Sequence, residues 1–459
     1  MALPTLKIEN AKFLITVDES RRIIEKGSVL VEGQRISKVD KAFNLRATKA
    51  DIVIDATNMV VIPGLINAHL HISSGHLTSG LLPDYLDRSE HISGVAKVNV
   101  AMTEDEEHDV SLLAITEALK YGTTCLVDPG TTKFLDSCVS ACKKSGSRIV
   151  IGRHMLDLPN PRQIPLTSPS EARKLMEELI CKYNHILDDR VRVWTMLWSL
   201  DHSSGDLLRM AKQVADENDT GMTVHCVNHD ESIQYHTKKF GMRPVEYLDH
   251  IGVLGDNLLL SHVVGLNDVE VDCIARSNTK MVMCPPAALM SGSGTTVNGK
   301  LPEMIEKGIC VSLGNDSPSY GPVETMRSMY LSAVLYKDAR GDTEIIPAET
   351  ALEMATINGA RALGLDDEIG SIVVGKKADL VLFDIARPEW RNLSNPVNNL
   401  VYNVDGRSVH TVVVDGNVVI KNHMPTFVDE GELIEKVRRI GGDLANRTGI
   451  SYAPKWPIL

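Results

Sequence analysis

Eight short apolar runs, separated by stretches with a helical pattern, occupy the middle of the chain. The runs are residues 60–66, 124–127, 148–152, 191–197, 222–225, 257–262, 279–284 and 309–314. The intervening stretches include residues 103–121, 168–187 and 205–218, where apolar residues recur every three or four positions. Strands that alternate with helices pair in parallel, and eight such units close into a barrel. The pattern therefore predicts an α/β protein with a (β/α)8 TIM barrel.

The two ends of the chain predict a second, smaller unit. Strand-like runs punctuated by turn residues cover residues 6–17, 27–33 and 52–55 at one end, and 378–383 and 409–419 at the other. We interpret both ends as one β-sandwich domain, interrupted by the barrel as a long insert. The predicted units are the sandwich at 1–62 and 371–425, the barrel at 63–370, and a C-terminal helix and tail at 426–459.

Composition narrows the possible partners. The formal net charge is −12, and the 48 Lys and Arg residues form no dense tract, which argues against a nucleic-acid partner. No run of apolar residues is long enough to cross a membrane, and no secretory signal is recognisable. The eight cysteines include no C-x-x-C pair. We expect a cytoplasmic protein with reduced cysteines that acts on a neutral or cationic small molecule.

Polar residues with metal-binding side chains stand at the predicted strand ends. His69 and His71 follow the first strand, His225 and His262 end the fifth and sixth, and Asp316 follows the eighth. Working groups of a TIM barrel lie at the carboxyl ends of its strands, where the loops open onto one face. A single histidine at a strand end is more often structural than a ligand. Five such groups in register predict one metal site.

Three segments carry a resemblance to a known family. The Pro-Gly-Leu-Ile-Asn-Ala-His-Leu-His stretch at 63–71 and the stretches at 353–364 and 369–381 resemble the amidohydrolase superfamily. The similarity is to the branch of s-triazine hydrolases and S-adenosylhomocysteine deaminases, and kinship to phenylurea and molinate hydrolases is also open. Members of this superfamily are usually oligomers, so the resemblance implies a homo-oligomer.

The resemblance also implies a ligand set. His69, His71, His225 and Asp316 would bind one divalent ion, with zinc expected and iron, cobalt or manganese as alternatives. His262 would lie beside the ion and polarise the bond under attack, while Asp316 would accept the proton of a water molecule. Residues 198–202 offer no Lys to bridge a second ion, so a mononuclear site is expected.

The remaining histidines carry weaker expectations. His202 and His76 are candidates for substrate contact from the loops after strands four and one, with a solvated loop as the alternative for each. Seven others are expected to be structural or on the surface: His91, His108, His185, His236, His250, His410 and His423.

One departure from the family pattern bears on the substrate. The branch usually has a His-x-x-Glu element on strand five whose Glu protonates a ring nitrogen, but this chain has Asn228 at that position. An amide cannot donate such a proton, so Asn228 is expected to bind substrate or to be structural, and His229 or Glu231 is the alternative acid.

Three functions remain open at this point. The first is a metal-dependent hydrolase of an amide, urea, carbamate or thiocarbamate, for which adenosine-type deamination would be poor. The alternative is an aminohydrolase acting on a purine, pyrimidine or s-triazine ring. A non-catalytic scaffold is the third function and is disfavoured, because the desolvation of five polar groups would destabilise the protein without serving a role.

Overall fold

The computed structural model describes residues 4–160, 164–227 and 229–456, apart from the side chain of Arg88. The strands in this part of the chain are β1 (Thr5–Ile15), β2 (Ile23–Glu32), β3 (Arg35–Lys41), β4 (Ile52–Asp55), β5 (Met59–Pro63), β6 (Leu65–Asn67), β7 (Thr123–Val127), β8 (Arg148–Ile151), β9 (Val191–Val193), β10 (Thr195–Ser199), β11 (Met222–Cys226), β12 (Leu258–His262), β13 (Lys280–Met283), β14 (Val311–Leu313), β15 (Leu380–Asp384), β16 (Val409–Val414), β17 (Asn417–Lys421) and β18 (Met424–Pro425). The helices are α1 (Ala42–Leu45), α2 (Gly75–Thr78), α3 (Arg88–Ala101), α4 (Glu104–Lys120), α5 (Leu135–Ser145), α6 (Pro169–Tyr183), α7 (Ile186–Asp189), α8 (Gly205–Glu217), α9 (Asp230–Phe240), α10 (Pro244–His250), α11 (Asp268–Ser277), α12 (Pro285–Met290), α13 (Thr295–Asn298), α14 (Leu301–Glu306), α15 (Thr325–Arg340), α16 (Ala348–Met354), α17 (Ile357–Ala362), α18 (Pro396–Tyr402) and α19 (Glu430–Thr448).

Strands β6 to β14 form a (β/α)8 barrel, as the sequence pattern predicts. They pair in parallel in the order β6-β7-β8-β9 and β10-β11-β12-β13-β14. Only Trp194 separates β9 from β10, so these two segments together make the fourth strand. The barrel closes where the amide of Ala68 donates to the carbonyl of Leu313, at 2.9 Å. Alternating strands and helices in sequence thus become a closed parallel barrel with its strand ends on one face.

The first predicted strand differs from the prediction. The run at 60–66 is divided into β5, which pairs with β1 and β15, and β6, which pairs with β7. Gly64 lies at the division, and a Cβ atom there would fall 2.1 Å from Thr124 Oγ1. The chain passes between two sheets at this point, and only a glycine fits against Thr124.

Both chain ends contribute to one nine-stranded sheet beside the barrel. Its order is β18-β17-β16-β15-β5-β1-β2-β3, and β4 pairs with β1. Residues such as Ile8, Val29, Val61 and Leu382 share a buried apolar cluster inside this unit. A larger cluster includes residues of both the sheet and the barrel, so the two units pack as neighbours with a common core. The limits 1–62, 63–370, 371–425 and 426–459 stay a prediction.

Helix α19 is the C-terminal helix expected from the sequence. Its apolar residues at 433, 437, 440 and 444 are buried, and they recur every three or four positions along one face. Lys120 of α4 contacts Glu430 at the start of α19, with 2.5 Å between Nζ and Oε1. In the described part of the chain, no helix is both long and apolar enough to span a membrane.

A buried ion-pair network joins the barrel to the terminal sheet. Arg148, at the start of β8, donates from Nη2 to Asp379 at 3.2 Å and to Asp415 at 3.4 Å. Asp379 also accepts from the backbone amide of Asp415 at 2.9 Å, and Lys377 contacts Asp415 at 3.2 Å. The side chains of Arg148, Asp379 and Asp415 are each at most 5% exposed, so water compensates little for a lost partner.

We expect Asp379→Ala to lower the free energy of unfolding by about 3 kcal/mol, because it leaves the buried Arg148 guanidinium with one carboxylate fewer. Urea denaturation followed by circular dichroism measures the change. The matched control is Glu25→Ala, which breaks the exposed Lys12–Glu25 pair and should change stability by less than about 1 kcal/mol. Equal losses in the two variants would contradict a stabilising role for the network.

Candidate active site

The strand ends bring the five predicted groups into one cluster. The imidazole centroid of His69 lies 5.0 Å from that of His71, 4.8 Å from that of His225 and 5.1 Å from that of His262. The ligand atoms of His69, His71 and His225 all lie within 4.8 Å of one another, and so do those of His69, His262 and Asp316. Two overlapping groups of three therefore share His69.

The nitrogen and oxygen atoms at the centre point at each other. His71 Nε2 lies 3.1 Å from Asp316 Oδ1 and 3.4 Å from His225 Nε2. His69 Nε2 is 3.7 Å from Asp316 Oδ1, beyond hydrogen-bond distance, and this buried nitrogen has no hydrogen-bond partner within the described residues. A buried polar atom without a partner is costly, and a cation at the centre would satisfy it.

The outer nitrogens of the two histidines of the His-x-His element are held by hydroxyl groups. His69 Nδ1 lies 3.0 Å from Ser261 Oγ in β12, and His71 Nδ1 contacts Thr131 Oγ1 in the loop after β7. An Nδ1–H that donates to a hydroxyl oxygen leaves the Nε2 lone pair facing the centre. The donor set therefore fits a divalent metal ion.

The titration of the cluster favours the forms that bind a cation. Burial lowers the pKa of His69, and burial together with the neighbouring imidazoles lowers the pKa of His225 well below its ordinary value. Burial alone would raise the pKa of Asp316, but the adjacent His69 and His71 hold it well below its usual range. Neutral imidazoles and an ionised carboxylate are the protonation states that ligate metals.

Two residues of the cluster have left-handed backbones. His262 has φ of +75° and Asp316 has φ of +70°, a region that residues other than glycine rarely occupy. The amide of Asp316 donates to the His69 carbonyl at 3.0 Å, and the amide of His71 donates to the Asp316 carbonyl at 2.6 Å. These bonds hold Asp316 in a conformation that it would otherwise leave.

A cavity of about 680 Å³ opens over the cluster, and His71, His225, His262 and Asp316 lie in its wall. Trp198 and His202 stack on one side, with centroids 4.7 Å apart and planes 9° apart. His91 and Tyr320 also line it and stack with centroids 5.6 Å apart. Carboxylates of Asp84, Asp201 and Glu231 also line the cavity.

The weaker sequence predictions have mixed outcomes. His202 lines the cavity, its Nδ1 lies 2.7 Å from the Pro159 carbonyl, and burial lowers its pKa. His76 is not among the lining residues, and its Nε2 lies 2.6 Å from Glu117 Oε2. His91, expected to be a surface or structural residue, lies in α3 at the cavity wall. Asn228 lies outside the described residues.

His154 was missed by the sequence analysis. Its ring lies 5.6 Å from that of His225 and 6.1 Å from that of His71, measured between centroids. It follows β8, and its backbone amide donates to the Gly130 carbonyl at 2.9 Å. The signal was present, because His154 lies two residues beyond the predicted strand at 148–152 and so meets the rule that selected the other strand-end groups.

Comparisons with known proteins agree with this architecture. Two solved structures have the same fold: an adenosine deaminase from Xanthomonas campestris with bound zinc, and the atrazine chlorohydrolase from Arthrobacter aurescens TC1 complexed with zinc. The first has a TM-score of 0.86 at 24% identity and covers 96% of this chain and 98% of its own. The second has a TM-score of 0.86 at 21% identity and covers 95% and 100%.

Curated relatives are similar over nearly the whole chain. A 5'-deoxyadenosine deaminase from Methanothermobacter thermautotrophicus is 32% identical over 95% of this chain and 100% of its own. A 5-methylthioadenosine/S-adenosylhomocysteine deaminase from Acetivibrio thermocellus is 30% identical over 94% and 98%. The model of the amidohydrolase family matches residues 60–419. The full-length similarity and this match agree with the barrel and its histidine cluster, and the chain belongs to the amidohydrolase family.

Proposed function

We propose that the protein is a metal-dependent aminohydrolase that removes the amino group from the adenine ring of a nucleoside. The observation that carries this proposal is the similarity, at 32% and 30% identity over at least 94% of the chain, to two deaminases of adenosine derivatives. Hydrolysis of a carbon–nitrogen bond agrees with both enzymatic functions considered from the sequence, the amide-type hydrolase and the aminohydrolase. The relatives favour the aminohydrolase alternative over the amide, urea or carbamate hydrolase.

The cavity supports a flat, uncharged substrate. Its two stacked pairs, Trp198 with His202 and His91 with Tyr320, present aromatic surface on which a purine ring can pack. The carboxylates of Asp84, Asp201 and Glu231 repel an anionic group, so a nucleoside without a phosphate suits the lining better than a nucleotide.

We propose that His69, His71, His225 and Asp316 hold one divalent ion, which we take to be zinc. Three imidazoles and a carboxylate suit this ion, and both solved structures of the same fold contain it. An ion held there would act as a Lewis acid and lower the pKa of a water molecule. Asp316 would accept a proton from that water and return it to the departing amine.

His262 stabilises charge beside the ligands. It ends β12, lines the cavity, and lies 5.1 Å from His69 and 5.4 Å from His225 between ring centroids. A polar ring at this position can hydrogen-bond the oxygen that is added to the purine carbon, so that the developing charge is stabilised.

The proton for the ring nitrogen needs another source, because Asn228 stands where the family usually has Glu. We propose the pair formed by His229 and Glu231, which lines the cavity with 2.8 Å between Nδ1 and Oε2. Asp201 is less suited, because its carboxylate accepts from Ser232 Oγ at 2.6 Å and lies 3.4 Å from His236. Within this pair, His229 donates the proton, and the contact with Glu231 orients its imidazole.

A homo-oligomeric state and a cytoplasmic location, both expected from the sequence, stay predictions.

We expect purified protein to contain about one zinc ion per chain, because the described ligand set completes a single site. Inductively coupled plasma mass spectrometry measures the ratio, and activity should vanish on dialysis against a chelator and return with zinc. Two ions per chain at full activity would contradict the mononuclear site and direct attention to His154, the additional imidazole beside His71 and His225.

Ammonia release from a substrate panel tests the proposed reaction. We expect 5'-deoxyadenosine or 5'-methylthioadenosine to react with kcat/KM above about 10⁴ per molar per second, the low end of typical enzyme efficiencies. Ureas, carbamates and simple amides should react at least about 10²-fold less efficiently, because they lack the purine ring that packs against the aromatic side chains of the cavity. Efficient turnover of a urea or carbamate, with no deamination of nucleosides, would restore the hydrolase function first expected from the sequence.

The proposed proton donor is tested by His229→Gln. We expect kcat for the nucleoside to fall by about 10² or more while KM changes little, since general acid catalysis contributes about 10² to 10⁴ in rate. Steady-state kinetics on metal-loaded protein measures both constants. His250→Gln, at the end of α10 and not among the cavity-lining residues, serves as the control. A normal kcat in His229→Gln would mean that another group protonates the ring.

A further inference from the structure

The turn after β7 is organised around one buried carboxylate. Asp128 is 1% exposed, and its Oδ1 accepts from the backbone amides of Gly130 and Thr131, each at 3.1 Å. Its Oδ2 accepts from the hydroxyl of Thr132. Three hydrogen bonds from residues 130–132 to one side chain hold this turn in a single conformation.

Both backbone polar groups of Thr131 are hydrogen-bonded. Its amide is bound by Asp128, and its carbonyl accepts from Asn99 Nδ2 of α3 at 3.3 Å. Its hydroxyl contacts His71 Nδ1, and the residue also lines the cavity. The backbone therefore presents the Thr131 hydroxyl to the outer nitrogen of His71 from a fixed position.

The neighbouring glycine shows that the turn has little freedom. Gly130 has φ of +108°, and a Cβ atom there would lie 2.7 Å from the backbone nitrogen of His154. Positive φ and this close approach both require glycine, so the path of the chain into Thr131 is set by packing against the residue that follows β8.

We propose that Thr131 is a positioning residue for the metal site: its hydroxyl oxygen accepts the Nδ1 proton of His71 and keeps the Nε2 lone pair directed at the ion. The inference rests on the proposed function, and it assigns Asp128 the supporting role of holding Thr131 in place. His71 is the ligand whose Nε2 lies within 3.4 Å of both Asp316 and His225, so its orientation affects the whole cluster.

The chemistry explains why a hydroxyl is needed at this position. Neutral imidazole carries its single proton on one of two nitrogens, and a proton on Nε2 would block metal binding. A hydrogen bond at Nδ1 stabilises the useful tautomer and restrains rotation of the ring. Loss of such an outer partner usually lowers metal affinity by about 10- to 100-fold.

The experiment compares three threonine variants. Thr131→Val removes the hydroxyl with little change in volume, Thr131→Ser retains it, and Thr116→Val is the control. Thr116 is buried, and among the described residues its hydroxyl bonds only to the Leu112 carbonyl of its own helix, at 2.7 Å. Metal is removed with a chelator, and the zinc dissociation constant is measured by competition with a chromogenic chelator; the thermal midpoint of each metal-free variant reports stability.

We expect Thr131→Val to bind zinc about 10- to 100-fold more weakly than the wild type, while Thr131→Ser and Thr116→Val stay within about threefold. Wild-type affinity in Thr131→Val would overturn the inference. A parallel loss of affinity in Thr116→Val would also overturn it, because the effect would then follow from stability alone.

Failure of the inference can be told apart from failure of the proposed function. If wild-type protein binds no zinc, the metal site itself is wrong and the role of Thr131 falls with it. If wild-type protein binds zinc and deaminates nucleosides while Thr131→Val binds equally well, only the role of Thr131 is wrong.

Discussion

The hydrogen bonds that close the barrel between its last and first strands also assemble the candidate active site. Ala68 donates to Leu313 at 2.9 Å, Asp316 donates to the carbonyl of His69 at 3.0 Å, and His71 donates to the carbonyl of Asp316 at 2.6 Å. Just below, the Asn67 side chain donates to that of Asn315 at 2.6 Å. The hydrogen bonds that close the barrel therefore also place His69, His71 and Asp316 beside one another.

Without a bound ion, the cluster of polar side chains destabilises the fold. Four imidazoles and a carboxylate lie together at the carboxyl ends of the barrel strands. His69 Nε2 has no hydrogen-bond partner within the described residues, and His262 and Asp316 both have left-handed backbone conformations. Hydrogen bonds between the outer nitrogens and the hydroxyls of Ser261 and Thr131 offset part of this destabilisation. Such backbone strain is typical of functional sites and is compensated by well-packed surroundings, here two buried apolar clusters that include residues of the barrel strands.

The comparison of the two candidate reactions depends on a single position. Asn228 argues against ring deamination if a catalytic acid must occupy one place in the sequence, whereas similarity along the whole chain to adenosine-type deaminases argues for it. The conflict is resolved if a residue close by in the sequence supplies the acid, since His229 and Glu231 line the same cavity. A proton donor is defined by its reach to the substrate, and residues close together in the sequence can have the same reach.

The sequence by itself determined the barrel and identified the five groups that meet at its centre. Hydrophobic periodicity is a local property, so the strands can be predicted from the sequence. The carboxyl ends of parallel strands lie on one face of the barrel, and this predicts that His225 and Asp316 are neighbours. It did not reveal the division of the first strand at Gly64, the position of His91 at the cavity wall, or the bond from Thr131 to His71. Those features depend on the paths of loops and on contacts between residues far apart in the chain, and only the packed tertiary structure decides which side chains such paths bring together.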